Sequence, residues 1–370
     1  MRKTQLVILS IVVVGILIGP LFCNDIASAA GGGKKSNGYN LYFGDLHTHT
    51  ELSDGTGIPE DAYAIARDSG ADFLAITDHV QIWNAYDAWI MDEMEWQRLL
   101  AAADSVNEQY DDFVAIAAYE AWMLANCGEV NVYNVRELPE RETLGYRYDR
   151  LSNFYDWLSS KEGAIGQFNH PLYVSDNFMD YDFLNELRDE SMCVIEAYND
   201  VYYDENYRMA LNAGWHLMPS ANSDTHDGDW IWNHEMRSVL LAESLTPESL
   251  YEAMRACRGY ATLDKNLEIH YTLNGMVMGS NLSDPGATSY TASIQIYDPD
   301  GAADAITSVE ILWDTGEMVV WNSEPSNSID ITVEFESEDA RYFYVRVNTV
   351  SPLEGEPGIT AWTAPVWTGN

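Results

Sequence analysis

Two hydrophobic periodicities divide this chain. Between residues 41 and 265 short, nearly continuous apolar runs recur: LYFGDL (41–46), ADFLAITDH (71–79), DDFVAIAAYEAW (111–122), CGEVNVYNV (127–135), AIGQFNHP (164–171), MCVIEAYND (192–200), WHLMPSANSDTH (215–226) and RSVLLAES (237–244). Runs of this length and continuity read as strands buried on both faces. Helical segments lie between them. Pro59-Glu60-Asp61 puts proline in a first turn and acids at its positive end, Ala62, Ile65 and Ala66 share one face, and Gly70 stops the helix. Further helices are expected over 151–160 and 205–213, and after Thr246-Pro247-Glu248 up to about Gly259. Strand, helix, strand is the rhythm of parallel βα units, which gather functional groups at the carboxyl ends of their strands.

From Leu267 the pattern becomes strict alternation. Ile294/Ile296, Val309/Ile311/Trp313, Ile331/Val333/Phe335 and Phe343/Val345/Val347 each fit a half-buried strand, with turns at 298–301 and 314–316. This predicts a small C-terminal β-sandwich, without evident chemistry, over 266–370. The α/β part occupies 41–265.

The first 29 residues carry different information. Arg2 and Lys3 precede an apolar run from Leu6 to Phe22, and Ala27-Ser28-Ala29 offers a small-residue cleavage site. A signal peptide over 1–29 and a Gly/Ser-rich linker over 30–40 are expected, so the protein is exported, extracellular or periplasmic. An uncleaved membrane anchor is the alternative. Phe22 is too bulky to precede a lipidated Cys23. The net charge of -40, with only five lysines, disfavours nucleic acid and anionic membrane partners. Cys127, Cys193 and Cys257 match no zinc spacing, and Cys193 and Cys257 read as core residues.

Candidate chemistry falls at strand ends. His47 and His49 are two residues apart, so an extended backbone points both the same way, and Asp54 follows after a short turn. His79, Glu120, Glu129, His170, Asp224 and His226 occupy the starts or ends of later strands. Such a set exceeds what one zinc ion needs. Its mix of imidazole and carboxylate suits two or three divalent ions, zinc, manganese or iron, which activate water and clamp the oxygens of an ester undergoing hydrolysis. Asp78 and Asn222 adjoin ligands and are expected to orient them. The aromatic stretch 81–110, with Trp83, Tyr86, Trp89 and Trp96, either overhangs the pocket or packs on the core. A rival barrel type bridges two metals with a modified lysine at a strand end, but Lys161, in SSKEGA, is the only lysine between Ser36 and Asp264 and follows a helix.

DLHTHTELSDG, ITDH, YEAW, NHP and NSDTH, in this order, resemble the polymerase and histidinol phosphatase (PHP) family. The exported form with a trailing β domain ending AWTAPVW is similar to its carbaryl-hydrolase-like branch. The resemblance covers about residues 40–265 and implies a distorted (β/α)7 barrel with up to three metals. It would give His47, His49, Glu120 and Asp224 to the first metal, Asp54, His79 and His226 to another, and Glu120 with His170 to the third. Where many relatives have Gly-His, this chain has Gly128-Glu129, a carboxylate that can still bind metal. His234 and Arg237, after the last ligand loop, are expected either to meet a substrate anion or leaving group or to make structural hydrogen bonds. The function implied is a metal-dependent phosphoesterase acting on a small-molecule ester. Carbamate or carboxylic ester hydrolysis is the alternative within the same site, and a non-catalytic surface module is the alternative class.

Overall fold

The computed structural model describes residues 38–81, 90–122, 128–139, 150–171, 177–300, 304–350 and 358–369. The signal segment, Cys127, Trp83, Tyr86 and Trp89 lie outside them. No described helix is long and apolar enough to cross a membrane.

The α/β part begins with β1 (Asn40–Asp45), α1 (Pro59–Asp68), β2 (Phe73–Ile76) and β3 (His79–Gln81). Then come α2 (Glu93–Gln109), β4 (Val114–Ala117), β5 (Tyr119–Trp122), β6 (Glu129–Tyr133), α3 (Arg150–Ser159) and β7 (Ile165–Asn169). Two short turns, α4 (Asn177–Tyr181) and α5 (Glu186–Asp189), lead to β8 (Met192–Asn199), β9 (Val201–Tyr202), α6 (Asp204–Ala213) and β10 (Met218–Ala221). β11 (Arg237–Ala242), α7 (Pro247–Arg255) and β12 (Gly259–Thr262) complete this part. α1 starts on Pro59 with Glu60 and Asp61 in its first turn, and buries Ala62, Tyr63 and Ala66. α7 is capped by the Thr246 side chain and ends at Arg255; Gly259 already belongs to β12.

Two mixed sheets form around these strands, which is the α/β architecture expected but with more antiparallel pairing. One runs β12-β11-β1-β2-β4 and the other β10-β8-β7-β6-β5-β3. β1–β2, β2–β4, β3–β5, β7–β8 and β8–β10 are parallel, while β5–β6, β6–β7, β1–β11 and β11–β12 are antiparallel. Only residues 123–128 separate β5 from β6, too short a span for the helical crossover a parallel pair needs.

The expected single strand over 111–122 is two strands broken at Ala118. β2/β3 and β4/β5 therefore each pass from one sheet into the other. The seam is stitched where the Glu120 N–H donates to the carbonyls of Thr77 (3.0 Å) and Asp78 (3.2 Å). On the opposite side Ser238 Oγ of β11 receives the Ala221 N–H of β10 and donates to Asn222 Oδ1. The strands carry their apolar residues inward: all of Phe73–Ile76 and Val114–Ala117 are buried.

α2 accounts for most of the aromatic stretch. Asp92 caps it, accepting from the N–H groups of Met94 and Glu95. Trp96 is fully buried and meets Tyr119 edge-on, with ring centroids 5.5 Å apart. Of the two readings for this stretch, Trp96 follows core packing.

The C-terminal part comprises β13 (Glu268–Leu273), β14 (Met276–Val277), β15 (Ser289–Tyr297), β16 (Ile306–Trp313), β17 (Gly316–Ser326), β18 (Ser328–Glu336), β19 (Tyr342–Thr349), β20 (Ile359–Thr363) and β21 (Val366–Trp367). β15 alternates as expected, burying Tyr290, Ala292, Ile294 and Ile296. β14-β13-β15-β18 form one antiparallel sheet, whereas β17-β16-β19-β20 continue the first α/β sheet through antiparallel pairing of β20 with β12. The ladder thus runs straight across residue 265.

Candidate metal centre

β1 delivers the first histidines because Gly44 lets it lie close on β2. A Cβ at Gly44 would stand 2.3 Å from the Phe73 carbonyl oxygen. Beyond Asp45 the chain bends at Leu46 and pairs through Thr48 with Thr225, in the segment after β10. The Asp224 N–H donates to the His47 carbonyl (2.9 Å) and the His49 N–H to the Thr225 carbonyl (3.0 Å). This pairing sets His47 and His49 beside Asp224 and His226. Asp224 and His170 sit at positive φ (50° and 25°), a strained conformation for non-glycine residues that recurs at functional sites.

All nine residues expected as ligands converge. In a first group His47 Nε2 lies 3.3 Å from Glu120 Oε2 and 3.3 Å from Asp224 Oδ1, and His49 Nε2 lies 2.9 Å from Asp224 Oδ1. In a second, Asp54 Oδ1 is 3.2 Å from His226 Nε2, 3.7 Å from His79 Nε2 and 4.0 Å from His49 Nδ1. In a third, His170 Nε2 is 3.1 Å from both Glu120 Oε1 and Glu129 Oε2. Within each group the nearest ligand atoms all lie within 4.8 Å of one another. Glu120 belongs to two groups and turns one oxygen toward each. Glu129, the position that departs from the resemblance, is fully part of the third.

The surrounding hydrogen bonds fix which ring nitrogens face inward. His47 Nδ1 lies 2.9 Å from Glu196 Oε1, an acceptor only, which assigns the proton to Nδ1 and leaves Nε2 a lone pair aimed at Glu120 and Asp224. His226 Nδ1 likewise donates to the Asp224 carbonyl (2.8 Å), freeing Nε2 toward Asp54. A buried lone pair facing two carboxylates is repulsive unless a cation lies between them, and this donor set of imidazole and carboxylate fits a divalent metal.

The electrostatics show the same demand for positive charge. Burial works against protonation of His47, but Asp224, Glu120 and Glu196 outweigh it and hold the imidazole well above its ordinary range. His79 is raised to about 9 against its burial, chiefly by Glu120. At His49 burial, with the neighbouring His79 adding to it, outweighs Asp224 and Glu120, and the imidazole is lowered. Burial would raise Glu120, yet His47 and His79 hold it well below the carboxylate range. Burial and the neighbouring Glu120 push Glu129 up.

The second layer is as expected at two positions and richer elsewhere. Asp78 accepts from the Thr50 N–H (2.8 Å), Thr50 Oγ1 (2.6 Å) and Ser53 Oγ (2.6 Å), pinning the turn between His49 and Asp54. Asn222 Oδ1 accepts the Leu46 N–H (3.1 Å), and its Nδ2 donates to Glu196 Oε1 (2.8 Å). Glu196 itself was not singled out from sequence. Fully buried on β8, it also accepts the His170 N–H (2.6 Å) and Asn199 Nδ2 (3.1 Å). Its only signal was a carboxylate inside the apolar run MCVIEAY, which must find donors. Asn169 Nδ2 donates to Glu120 Oε1 (2.7 Å) and Asn131 Oδ1 (2.8 Å), holding the shared carboxylate.

His234 and Arg237 have other partners. His234 Nε2 lies 3.1 Å from Asp229 Oδ1, which accepts a short hydrogen bond from Thr225 Oγ1. The buried Arg237 guanidinium donates to the carbonyls of His234 (2.7 Å) and Met236 (2.6 Å). Lys161 pairs with Glu137 (2.6 Å), between α3 and β7 and outside all three ligand groups.

No family model matches the chain and no curated protein matches it. Among solved structures, it is similar to a two-domain protein from Bacteroides vulgatus containing a predicted PHP-like metal-dependent phosphoesterase, at 16% identity and TM-score 0.49, covering 92% of this chain and 100% of that one. It is also similar to PsfC from Pseudomonas syringae (15% identity, TM-score 0.39, 57% of this chain and 88% of that one). A third is an amidohydrolase from Chromobacterium violaceum with bound sulfate and no metal (13% identity, TM-score 0.34, 50% and 87%).

Proposed function

We propose that this chain is an exported metal-dependent hydrolase whose substrates are small phosphoesters. The observation that carries the reading is the sharing of one carboxylate, Glu120, by two of the three ligand groups, with the His47 lone pair fixed toward it by Glu196. Its phosphoester preference rests on the resemblance of the ordered motifs to the PHP family.

His47, His49, Glu120 and Asp224 would hold one ion, Asp54, His79 and His226 with His49 a second, and Glu120, Glu129 and His170 a third. Zinc, manganese or iron in these positions would supply Lewis acidity and a water of lowered pKa. The protein's part is positional. Glu196 holds His47 in the tautomer that presents Nε2, and Asn169 fixes Glu120 so that its two oxygens serve different groups. Access is graded: His47, His49 and Glu120 are sealed, whereas Asp54 and His226 are about one-third exposed, at 31% and 35%. An ester therefore approaches from the Asp54–His226 side. His234 acts through Asp229 on Thr225, between the ligands Asp224 and His226, and so serves as a positioning residue.

Arg237 is engaged by two carbonyls, which favours a second reading in which the substrate is an uncharged carbamate or carboxylic ester. Metal analysis of the purified protein, with turnover of aryl phosphate, phosphodiester, carbamate and carboxylic ester, tests both. Two to three ions per chain and phosphoester turnover that His47→Ala abolishes are expected. Faster carbamate than phosphate turnover selects the second reading. A metal-free protein, or activity unchanged in His47→Ala, overturns the hydrolase.

A further inference from the structure

A second set of converging acids lies outside the His-rich centre, where the α/β part passes into the C-terminal strands. Asp264 follows β12, Asp298 and Asp300 follow β15, and Asp304 precedes β16; one carboxylate oxygen from each lies within 4.8 Å of the others. Asp264 and Asp298 are buried, at 6% and 1% exposure.

The acids alone would be unremarkable, but two buried acceptors at the same place meet no donor. Asp264 Oδ1 accepts the Asn266 N–H (2.9 Å), while its Oδ2 has no hydrogen-bond partner among the described residues. Asn266 Oδ1 is likewise buried and unmet, although its Nδ2 reaches Asp300 Oδ2 (3.1 Å) and so ties it into the cluster. Lys265 touches only the exposed rim, with Nζ 3.7 Å from Asp300 Oδ2 and 3.2 Å from Glu235. A buried carboxylate oxygen without a donor is costly unless a cation satisfies it.

The geometry points to an oxygen-only calcium site formed by Asp264, Asn266, Asp298, Asp300 and Asp304. Carboxylate and amide oxygens, without imidazole or thiolate, select a hard cation, and their arrival from two separate segments suits the flexible, many-oxygen shell of calcium. The site is chemically orthogonal to the His-rich centre. A bound ion would clamp the loop after β12 to the β15–β16 connection and so brace the seam between the two parts of the chain.

The test is calcium titration of chelator-stripped, full-length protein, followed by calorimetry and thermal unfolding. One calcium per chain is expected, with Kd on the order of 10⁻⁴ to 10⁻³ M and Tm raised by about 4 °C at a hundredfold excess over Kd. His47→Ala should keep this response and Asp298→Asn should lose it. Asp300→Asn, at an exposed ligand, covers a folding failure of the buried variant and should weaken binding at least tenfold. No heat and no Tm shift up to 10 times the upper Kd, or a response unchanged in Asp300→Asn and Asp298→Asn but lost in His47→Ala, overturns the site.

Discussion

The Nδ1 of His47 and the Oε1 of Glu196 lie 2.9 Å apart, both fully buried, on segments 149 positions apart in the chain. This contact connects β8 to the first histidine motif. Because Glu196 also receives the His170 N–H and the Asn222 and Asn199 side chains, one carboxylate orients parts of two ligand groups.

Glu196→Gln should therefore weaken metal binding by about 10- to 100-fold, the usual cost of losing a partner behind a ligand, while the fold survives. Calorimetric titration of zinc or manganese into stripped protein measures it. Wild-type affinity in Glu196→Gln would show that this carboxylate is only structural.

Glu129→Gln should lower metal content by about one ion per chain and leave the first two groups loaded, since Glu129 contacts only the third. Glu129→His should keep the full content. Elemental analysis of the three proteins distinguishes these outcomes.

Asp72 gives a pH signature separate from the centre. Burial raises its carboxyl from 3.8 to about 6, against the hydrogen bond donated by the Phe43 N–H (2.7 Å). A carboxyl whose folded pKa is raised favours the folded state while protonated. Its contribution is complete below about pH 4 and is lost as the pH climbs through about 6. Asp72→Asn should thus raise stability at pH 7.5 by about 2 kcal/mol and change little at pH 4. Denaturant melts at the two pH values check the sign; equal effects at both would contradict it.

Gly44→Ala should destabilise the protein by about 1–3 kcal/mol, because a Cβ there collides with the Phe73 carbonyl and parts β1 from β2. Metal affinity should fall as well, since His47 and His49 follow directly on that strand. Thermal unfolding with metal titration reads both.

The ligand positions were legible because each sits beside a buried apolar run, where period-two geometry and the chemistry of histidine restrict what the residue can do. His47, His79 and Glu120 could be found this way without any tertiary information. Glu196 could not, since its partners arrive from distant segments. The break at Ala118 left no mark either: alanine fits a strand interior as well as a passage between sheets. Nor does the sequence of β20 disclose that its neighbour is β12, about a hundred residues earlier. The Asp264 cluster is hidden for the same reason, its members being innocuous turn residues one by one.

The continuous ladder through β12 and β20 makes the tail a seal. Thr363, Trp362 and Ala361 cover the backbone of Tyr260, Ala261 and Thr262, and Trp362 Nε1 also donates to Asp204 Oδ1 (2.7 Å) at the start of α6. A chain ending near residue 265 would leave that strand as a bare edge, with unpaired N–H and C=O groups beside an uncovered apolar face. Such an edge templates association with other chains. The C-terminal strands thus cover an edge of the enclosing sheet, and removing them would yield a sticky fragment instead of a smaller working unit.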